Sequence, residues 1–330
     1  MRVALVYNDI ISERDVLMAQ NPHGVEQLEV TVAAVEEGLI AAGHDVVHLA
    51  LGPLPDLGAI ARCGAEVFFN LTTGIINKRM QLHAVAMLES AGVPVVGSDL
   101  ITHGLALDKF VTKVLLSRAG VPTPPFQLIP RRGDWALDPN LDYPAIIKPC
   151  REGSSLGITK ESVVYSAQEA MRRGEVMRRE FGQDLLLEEL VPGREFTAGI
   201  LGNDPLHIFP IQEILYADWP EDEPEIYSFD AKVWEWAARA CPADVEDDLC
   251  AQMHAMIRRT VRVLGLLDLA RLDIRMDRCG RPMLLEVNAL PGLQPLYSEY
   301  PRMASVAGLD YPALMDCLVH LAAKRGSGTP

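Results

Sequence analysis

Two short runs near the end of the chain restrict its folding and chemistry more than any other segment. In 270-ARLDIRM-276 polar and apolar residues alternate, so Arg271 and Asp273 leave one face of a strand while Leu272 and Ile274 leave the other. The turn 277-DRCG-280 leads into 281-RPMLLEVNALPG-292, where Glu286 and Asn288 share a face opposite Leu285 and Val287. The two runs read as a hairpin. If Asp273, Glu286 and Asn288 meet across it, they form an all-oxygen site suited to Mg2+, which keeps waters and phosphates for its other positions. Arg271 then sits beside whatever phosphate that metal carries. Alternation alone fits equally a hairpin with one solvated polar face, so the assignment depends on the rest of the chain.

The 330 residues, 49% hydrophobic and 23% charged, are ordinary for a globular enzyme and sufficient for two or three domains. A formal charge of -15 weighs against a nucleic-acid or anionic-membrane surface, because such binders neutralise phosphates with clustered Lys and Arg. Nucleotide binding needs only a few local cations and stays open. Cys63, Cys150, Cys241, Cys250, Cys279 and Cys317 are scattered, without a spacing that reads as zinc. The opening MRVALVYND reads as a first strand rather than a signal segment, and no apolar run approaches the length of a membrane span, so a cytoplasmic location is expected.

The first hundred residues alternate strand and helix. Val3 to Tyr7, Val46 to Leu49, Val67 to Phe69 and Val93 to Val96 are strand-like, with helical spacing over Leu28 to Leu39 and Met80 to Ala91. That pattern predicts a doubly wound parallel sheet. No GxGxxG follows the first strand, which argues against a dinucleotide site there. A helix over Asp108 to Ala119 precedes the proline-rich VPTPPF, which marks a crossing into a second unit. Residues 130–144 read as loop and 205–240 as an irregular excursion. From Val245 a long helix carries Leu249, Met253, Ile257, Val261 and Leu264 on one stripe.

Two further segments carry chemistry. In 145-AIIKPCREGSSLGITK-160 a strand ends at Lys148 and a loop with Gly153, Ser154, Ser155 and Gly157 returns to another strand. Glycines let backbone amides approach an anion, serines add donors and the lysine adds charge, so this loop suits phosphates although it lacks the Walker order. In 185-LLLEELVPGREFTAGIL-201 a strand runs through Glu188 and Glu189 to Leu190 and Val191, then turns at Pro192 and Gly193 into a strand carrying Glu195. Backbone groups of such a segment can meet an adenine edge, and a carboxylate farther on can accept from ribose hydroxyls.

Taken in order, 108-DKFVTK-113, 147-IKPCREGSSLGI-158, 188-EELVPGREF-196, 230-DAK-232 and the hairpin to Gly292 resemble the ATP-grasp ligases, most closely the D-alanine–D-alanine ligase branch. The resemblance covers nearly the whole chain. It implies an α/β ATP-grasp fold: a Rossmann-like N-terminal substrate domain over 1–100, a central lobe with the Gly/Ser loop over 101–185, and a C-terminal lobe with the metal site over 186–330. It also implies that Lys109, Lys148 and Lys232 contact ATP phosphates and that Ser154 and Ser155 close over the γ-phosphate. Glu188 with the backbone of Glu189, Leu190 and Val191 would read adenine, and Glu195 the ribose. Asp273, Glu286 and Asn288 would hold two Mg2+ ions, for which Mn2+ can substitute. Arg271 and the Gly292 amide would stabilise an oxyanion, and Glu13 would receive an ammonium group. Related ligases imply a homodimer with small-molecule carboxylate and amine substrates.

The substrate-binding segments depart from that family. Where its members carry a His-Gly and a GEDG stretch, this chain has 69-FNLTTGIINKR-79; the tyrosine expected after Lys232 is Val233; and the PGMTxxS loop becomes 291-PGLQPLYSEYP-301, with Tyr297 or Ser298 at the expected serine. The implied function is an ATP-dependent carboxylate-amine ligase that joins amino acids or similar metabolites through an acyl phosphate, giving ADP and phosphate, on substrates of its own. A true D-alanine–D-alanine ligase and a catalytically inactive ATP-binding protein are the alternatives. Intact Asp273, Glu286, Asn288 and Arg271 argue against the inactive one.

Overall fold

Val3, Ala4, Leu5 and Val6 are all fully buried, which requires both faces of their strand to be covered. The computed structural model describes residues 1–9, 22–52, 55–73, 79–153, 155–216, 219–220, 223–226 and 237–326. In it β1 (Arg2–Asn8) lies between β2 (Asp45–Leu51) and β3 (Val67–Asn70), all parallel. Helices α2 (Leu57–Arg62) and α3 (Arg79–Ser90) cover one face, where Ala4, Val6, Phe68 and Leu88 share a core. On the other face Val3, Leu5, Val35 and Phe69 share a core with Leu314, Met315 and Leu318, from α1 (Pro22–Ala41) and the last helix. The expected strand over Val93 to Val96 is reduced to a single bridge, Phe68 with Val95.

The second sheet is antiparallel, in the order β4 (Phe126–Ile129), β7 (Leu185–Glu189), β5 (Ala145–Pro149), β6 (Val163–Val164). Alternation sends Ala145, Ile147, Leu185 and Leu187 into a core under α6 (Ala167–Phe181), and so sends Lys148 and Glu188 to the opposite face. The third sheet runs β11 (Ala238–Ala240), β10 (Gln212–Leu215), β8 (Glu195–Leu201), β12 (Leu269–Met276), β13 (Pro282–Asn288), with β9 (His207–Ile208) beside β8. Three of these short strands fall in the segment expected to be irregular. Ala270, Leu272 and Ile274 pack with Phe196, Ala198 and Leu284 against Met253 and Ile257 of α7 (Asp247–Leu264). The other face of the third sheet is left to line the cleft opposite Lys148 and Glu188.

Two helices, α4 (Leu100–Leu107) and α5 (Lys109–Arg118), join the sheets. Their Ala106 and Leu116 belong to the same core as Ile257, Leu272 and Leu284, and the Thr102 hydroxyl donates to the Leu264 carbonyl at 2.9 Å. The expected division at 101–185 therefore differs from the packing at both ends. Residues from 100 to 121 pack on the third sheet, while the division at 185/186 would cut β7, whose pairing with β4 and β5 keeps it in the second sheet.

The chain closes with α8 (Glu299–Val306) and α9 (Tyr311–Gly326), and α9 returns to the first sheet. It lies so close to α1 that a Cβ on Gly38 would meet Met315 and Tyr311 at 2.9 Å. Among the described residues no single helix is long and apolar enough to cross a membrane. At the far end of α9, Arg325 donates to fully buried Asp268 through Nε at 3.0 Å and Nη2 at 2.5 Å, and to the carbonyls of Val95 and Gly97. Asp268 also accepts from the Gly97 amide at 2.9 Å and the Asn203 side chain at 2.9 Å. This knot ties the first sheet, the third sheet and α9 together. Arg325→Met removes the cation and leaves a buried carboxylate, so we expect a loss of about 3 kcal/mol in urea unfolding; a change under about 0.5 kcal/mol would show that the knot carries no load.

Candidate active site

The hairpin of β12 and β13 brings four polar side chains into a two-by-two block. Register pairs Asp273 with Glu286 and Arg271 with Asn288, and residues directly opposite in an antiparallel pair share a face. Arg271 grips Asp273 with both ends of its guanidinium, Nε to Oδ1 at 3.0 Å and Nη2 to Oδ2 at 2.9 Å. The Asn288 amide nitrogen donates to Asp273 Oδ2 at 3.1 Å. Burial opposes the charge on Arg271, but Asp273 outweighs it and raises the guanidinium pKa further. The loop behind the strands is fixed by Asp277, whose carboxylate accepts from the amides of Cys279 and Arg281 at 2.8 Å each.

One detail departs from plain alternation. The register slips between Asp273 and Ile274, so that Ile274 faces Leu284 and Leu285 is passed over. Such a bulge turns an extra side chain toward one face. Leu285 consequently lines the cleft together with Glu286 instead of pointing away from it.

The neighbouring strand extends the block. Across β8, Thr197 stands opposite Asp273 and donates to its Oδ1 at 2.8 Å, while Glu195 stands opposite Arg275. Glu195 is held by the Tyr216 hydroxyl at 2.6 Å and by Arg275 at 3.5 Å. The floor of the cleft is thus a lattice of alternating charges, each with a partner, and Ile146, Ile158, Val191, Ile226 and Leu285 form an apolar wall beside it.

The opposite side carries the lysines. Glu188 is almost wholly buried between two of them, with Lys113 Nζ at 2.7 Å from Oε2 and Lys148 Nζ against Oε1. Burial opposes the Glu188 charge, yet Lys113 and Lys148 outweigh it and hold the carboxyl below its usual range. For Lys148 burial is again outweighed, by Glu188 and Glu286, and its pKa rises. Lys113 fares differently: burial is the largest effect, and its pKa is pushed down to about 8. Lys109, one helical turn before Lys113 on α5, reaches across to Glu286 at 3.1 Å and donates to the Glu152 carbonyl. Its place is set by the chain itself, since the Lys109 amide donates to the Cys150 carbonyl at 3.0 Å, next to the loop that follows Lys148.

The expected site residues Lys109, Lys148, Ser155, Glu188, Glu189, Leu190, Val191, Glu195, Arg271, Asp273, Glu286 and Asn288 converge on this one cleft, with two qualifications. The Glu188 carboxylate is spent on the two lysines rather than turned to an adenine edge, and the Glu189 carboxylate points away, accepting from the Asp142 amide at 2.9 Å. Gly292 lies in the loop after β13, where a Cβ would meet Ser298 Oγ at 2.6 Å, so a larger residue there would have to displace the Ser298 hydroxyl. Ser154, Glu13 and Lys232 lie outside the described residues. The sequence reading passed over Lys113, Thr197, Arg275, Tyr216 and Leu285. Helical spacing from Lys109 could have found Lys113, and alternation from Glu195 and Asp273 could have found Thr197 and Arg275; Tyr216 and the bulge leave no local signal.

The triad yields a test of its own. Glu188→Gln leaves two buried ammonium groups without a counter-ion and is expected to cost about 3–5 kcal/mol in denaturant unfolding, whereas Lys113→Met keeps the neutral Glu188–Lys148 pair and costs less. Lys113 loses its proton near pH 8 when folded but near the ordinary lysine value of 10.5 when unfolded. The unfolded chain therefore binds more protons across that window, and wild-type stability should rise with pH relative to Lys113→Met. A difference that stays flat from pH 7 to 10 would contradict a buried, depressed Lys113.

Comparison with known proteins fits this geometry. The family model described as the D-ala D-ala ligase C-terminus matches residues 115–320, more than half of the chain. A D-alanine–D-alanine ligase of Gluconobacter oxydans is 30% identical, with 98% of this chain and all of that protein covered. The vancomycin B-type resistance protein VanB of Enterococcus faecalis is 35% identical over 72% of this chain and 68% of its own length. In three dimensions the chain resembles the D-alanine–D-alanine ligase of Bacillus anthracis solved with ATP, with a TM-score of 0.76, 20% identity and 99% of each chain covered. The fold is thus ATP-grasp, and the chain belongs to the D-alanine–D-alanine ligase family of ATP-dependent, ADP-forming ligases.

Proposed function

We propose that this cleft joins a carboxylate to an amine, both amino acids or amino-acid-like metabolites, at the expense of ATP. The observation that carries the reading is the block of Arg271, Asp273, Glu286 and Asn288 facing Lys109 and Lys148 across one cleft. A carboxylate is a poor acyl donor at neutral pH. Its oxygen attacks the γ-phosphorus, ADP leaves, and the amine then attacks the acyl carbon and expels phosphate.

Each residue has a part in that sequence. Lys109 and Lys148 hold phosphate oxygens in line, with Lys232 added on the resemblance. The backbone from Glu189 to Val191 borders the adenine, against the wall of Ile146, Ile226 and Leu285, and Glu195 meets the ribose. Glu188 acts through Lys113 and Lys148, as the group that positions them. Arg271 and the Gly292 amide face the oxygen that becomes negative in the tetrahedral intermediate. Ser154 and Ser155 belong to the loop that excludes water from the acyl phosphate, and Glu13 takes an ammonium group.

The donor set fits divalent magnesium. Asp273 and Glu286 offer carboxylate oxygens, and Asn288, which spends its amide nitrogen on Asp273, keeps its carbonyl oxygen for a metal. Two Mg2+ ions held there would neutralise charge on the transferred phosphoryl group. Small-molecule substrates, a homodimer and a three-unit chain with the nucleotide between the later two units complete the proposal.

Purified protein with ATP, Mg2+ and a panel of D- and L-amino acids, singly and in pairs, should release ADP and phosphate in step with an amide product. AMP and pyrophosphate would remove the mechanism. Efficient D-alanyl-D-alanine formation, better than any other pair, would make the chain a D-alanine–D-alanine ligase and overturn the separate specificity inferred from the 291–301 loop. Glu286→Gln should lower kcat by at least about 100-fold while leaving the fold intact; near-normal turnover with unchanged Mg2+ dependence would show that the hairpin is not the metal site.

A further inference from the structure

Far from the cleft, α9 and the turn after α1 bring two imidazoles onto one carboxylate oxygen. His44 Nε2 and His320 Nδ1 each lie 3.0 Å from Asp316 Oδ1. Asp316 and His320 are four residues apart on α9, the spacing that stacks two side chains on one helical face. His44 comes from the other end of the sequence, where the left-handed residue Gly43 (φ 84°) ends α1 and the His44 amide donates to the Leu39 carbonyl at 3.0 Å. Its ring is buried, and its Nδ1 faces the Met1 main-chain nitrogen at 3.4 Å.

We infer that His44, Asp316 and His320 form a binding site for a transition-metal ion of the Zn2+ class, which fastens α9 to the first sheet. The three ligand atoms lie within 4.8 Å of one another, so small side-chain shifts bring all three to the roughly 2.0–2.2 Å that zinc requires. Two imidazoles and one carboxylate select zinc, nickel or copper over magnesium, which takes oxygen donors. His320 is exposed and Asp316 partly so, which leaves room for water to complete the shell. The ion would bridge residues 272 positions apart in sequence, along the seam already closed by Gly38 against Met315 and Tyr311.

The test uses the whole chain, stripped with chelator and kept in excess Mg2+ so that the ligase cleft does not compete. Calorimetric titration with Zn2+ should give one equivalent bound more tightly than about 0.1 mM, and saturating Zn2+ should raise Tm by several degrees. His320→Ala and Asp316→Ala, both on the exposed side of α9, should fold normally, bind Zn2+ at least about tenfold more weakly and lose the thermal shift. Glu286→Gln should keep both. The proposal is overturned if no equivalent binds under these conditions, or if either α9 variant binds as the wild type does.

Discussion

The cleft depends on a buried carboxylate between two ammonium groups. Glu188 on β7 is ion-paired with Lys148 on β5 and Lys113 on α5, and neither sheet strands nor helix could keep those charges buried without the others. The same helix reaches the other way, because Lys109, four residues earlier, meets Glu286 on β13. Helix α5 is therefore the joint of the site. One of its lysines is anchored in the second sheet and the next faces the third, and the spacing between them is one helical turn. Its own body packs in the core of the third sheet through Leu116, so the distance between Lys148 and the carboxylates of the hairpin is set by packing rather than by the mobile chemistry of a loop.

The third sheet solves a related problem by pairing. Arg271, Asp273 and Arg275 occupy alternate positions of β12, and each finds its partner on that strand or on β8 and β13 beside it. A lattice of this kind can stay rigid in the free protein and exchange internal ion pairs for phosphate and metal contacts when ligands arrive. The opposite face of the same strands is apolar and sealed by α7, which gives the lattice a fixed floor.

Much of this was legible because strand alternation is a local rule. Arg271, Asp273, Glu286 and Asn288 fall on one face by counting alone, and the runs around Lys148 and Glu188 place their strands correctly. What counting missed has physical causes. The bulge at Leu285 breaks the period of two. The strands β10 and β11 are only four and three residues long, in a stretch with no sustained pattern. The Glu188 carboxylate serves Lys113 and Lys148 instead of an adenine edge, and a buried triad across separate elements has no signature in any one of them. Unit boundaries failed for a similar reason: α4 and α5 precede the second sheet in sequence but bury their apolar face in the third.

The central claim is that the carboxylate substrate is activated by direct phosphorylation in this cleft. Its most direct test is oxygen transfer. With a substrate whose two carboxylate oxygens are both oxygen-18, one should appear in the inorganic phosphate released for each amide formed, because the amine expels that oxygen with the phosphoryl group, while the other stays in the amide carbonyl. Phosphate free of label, with the expelled heavy oxygen in AMP instead, would contradict the account.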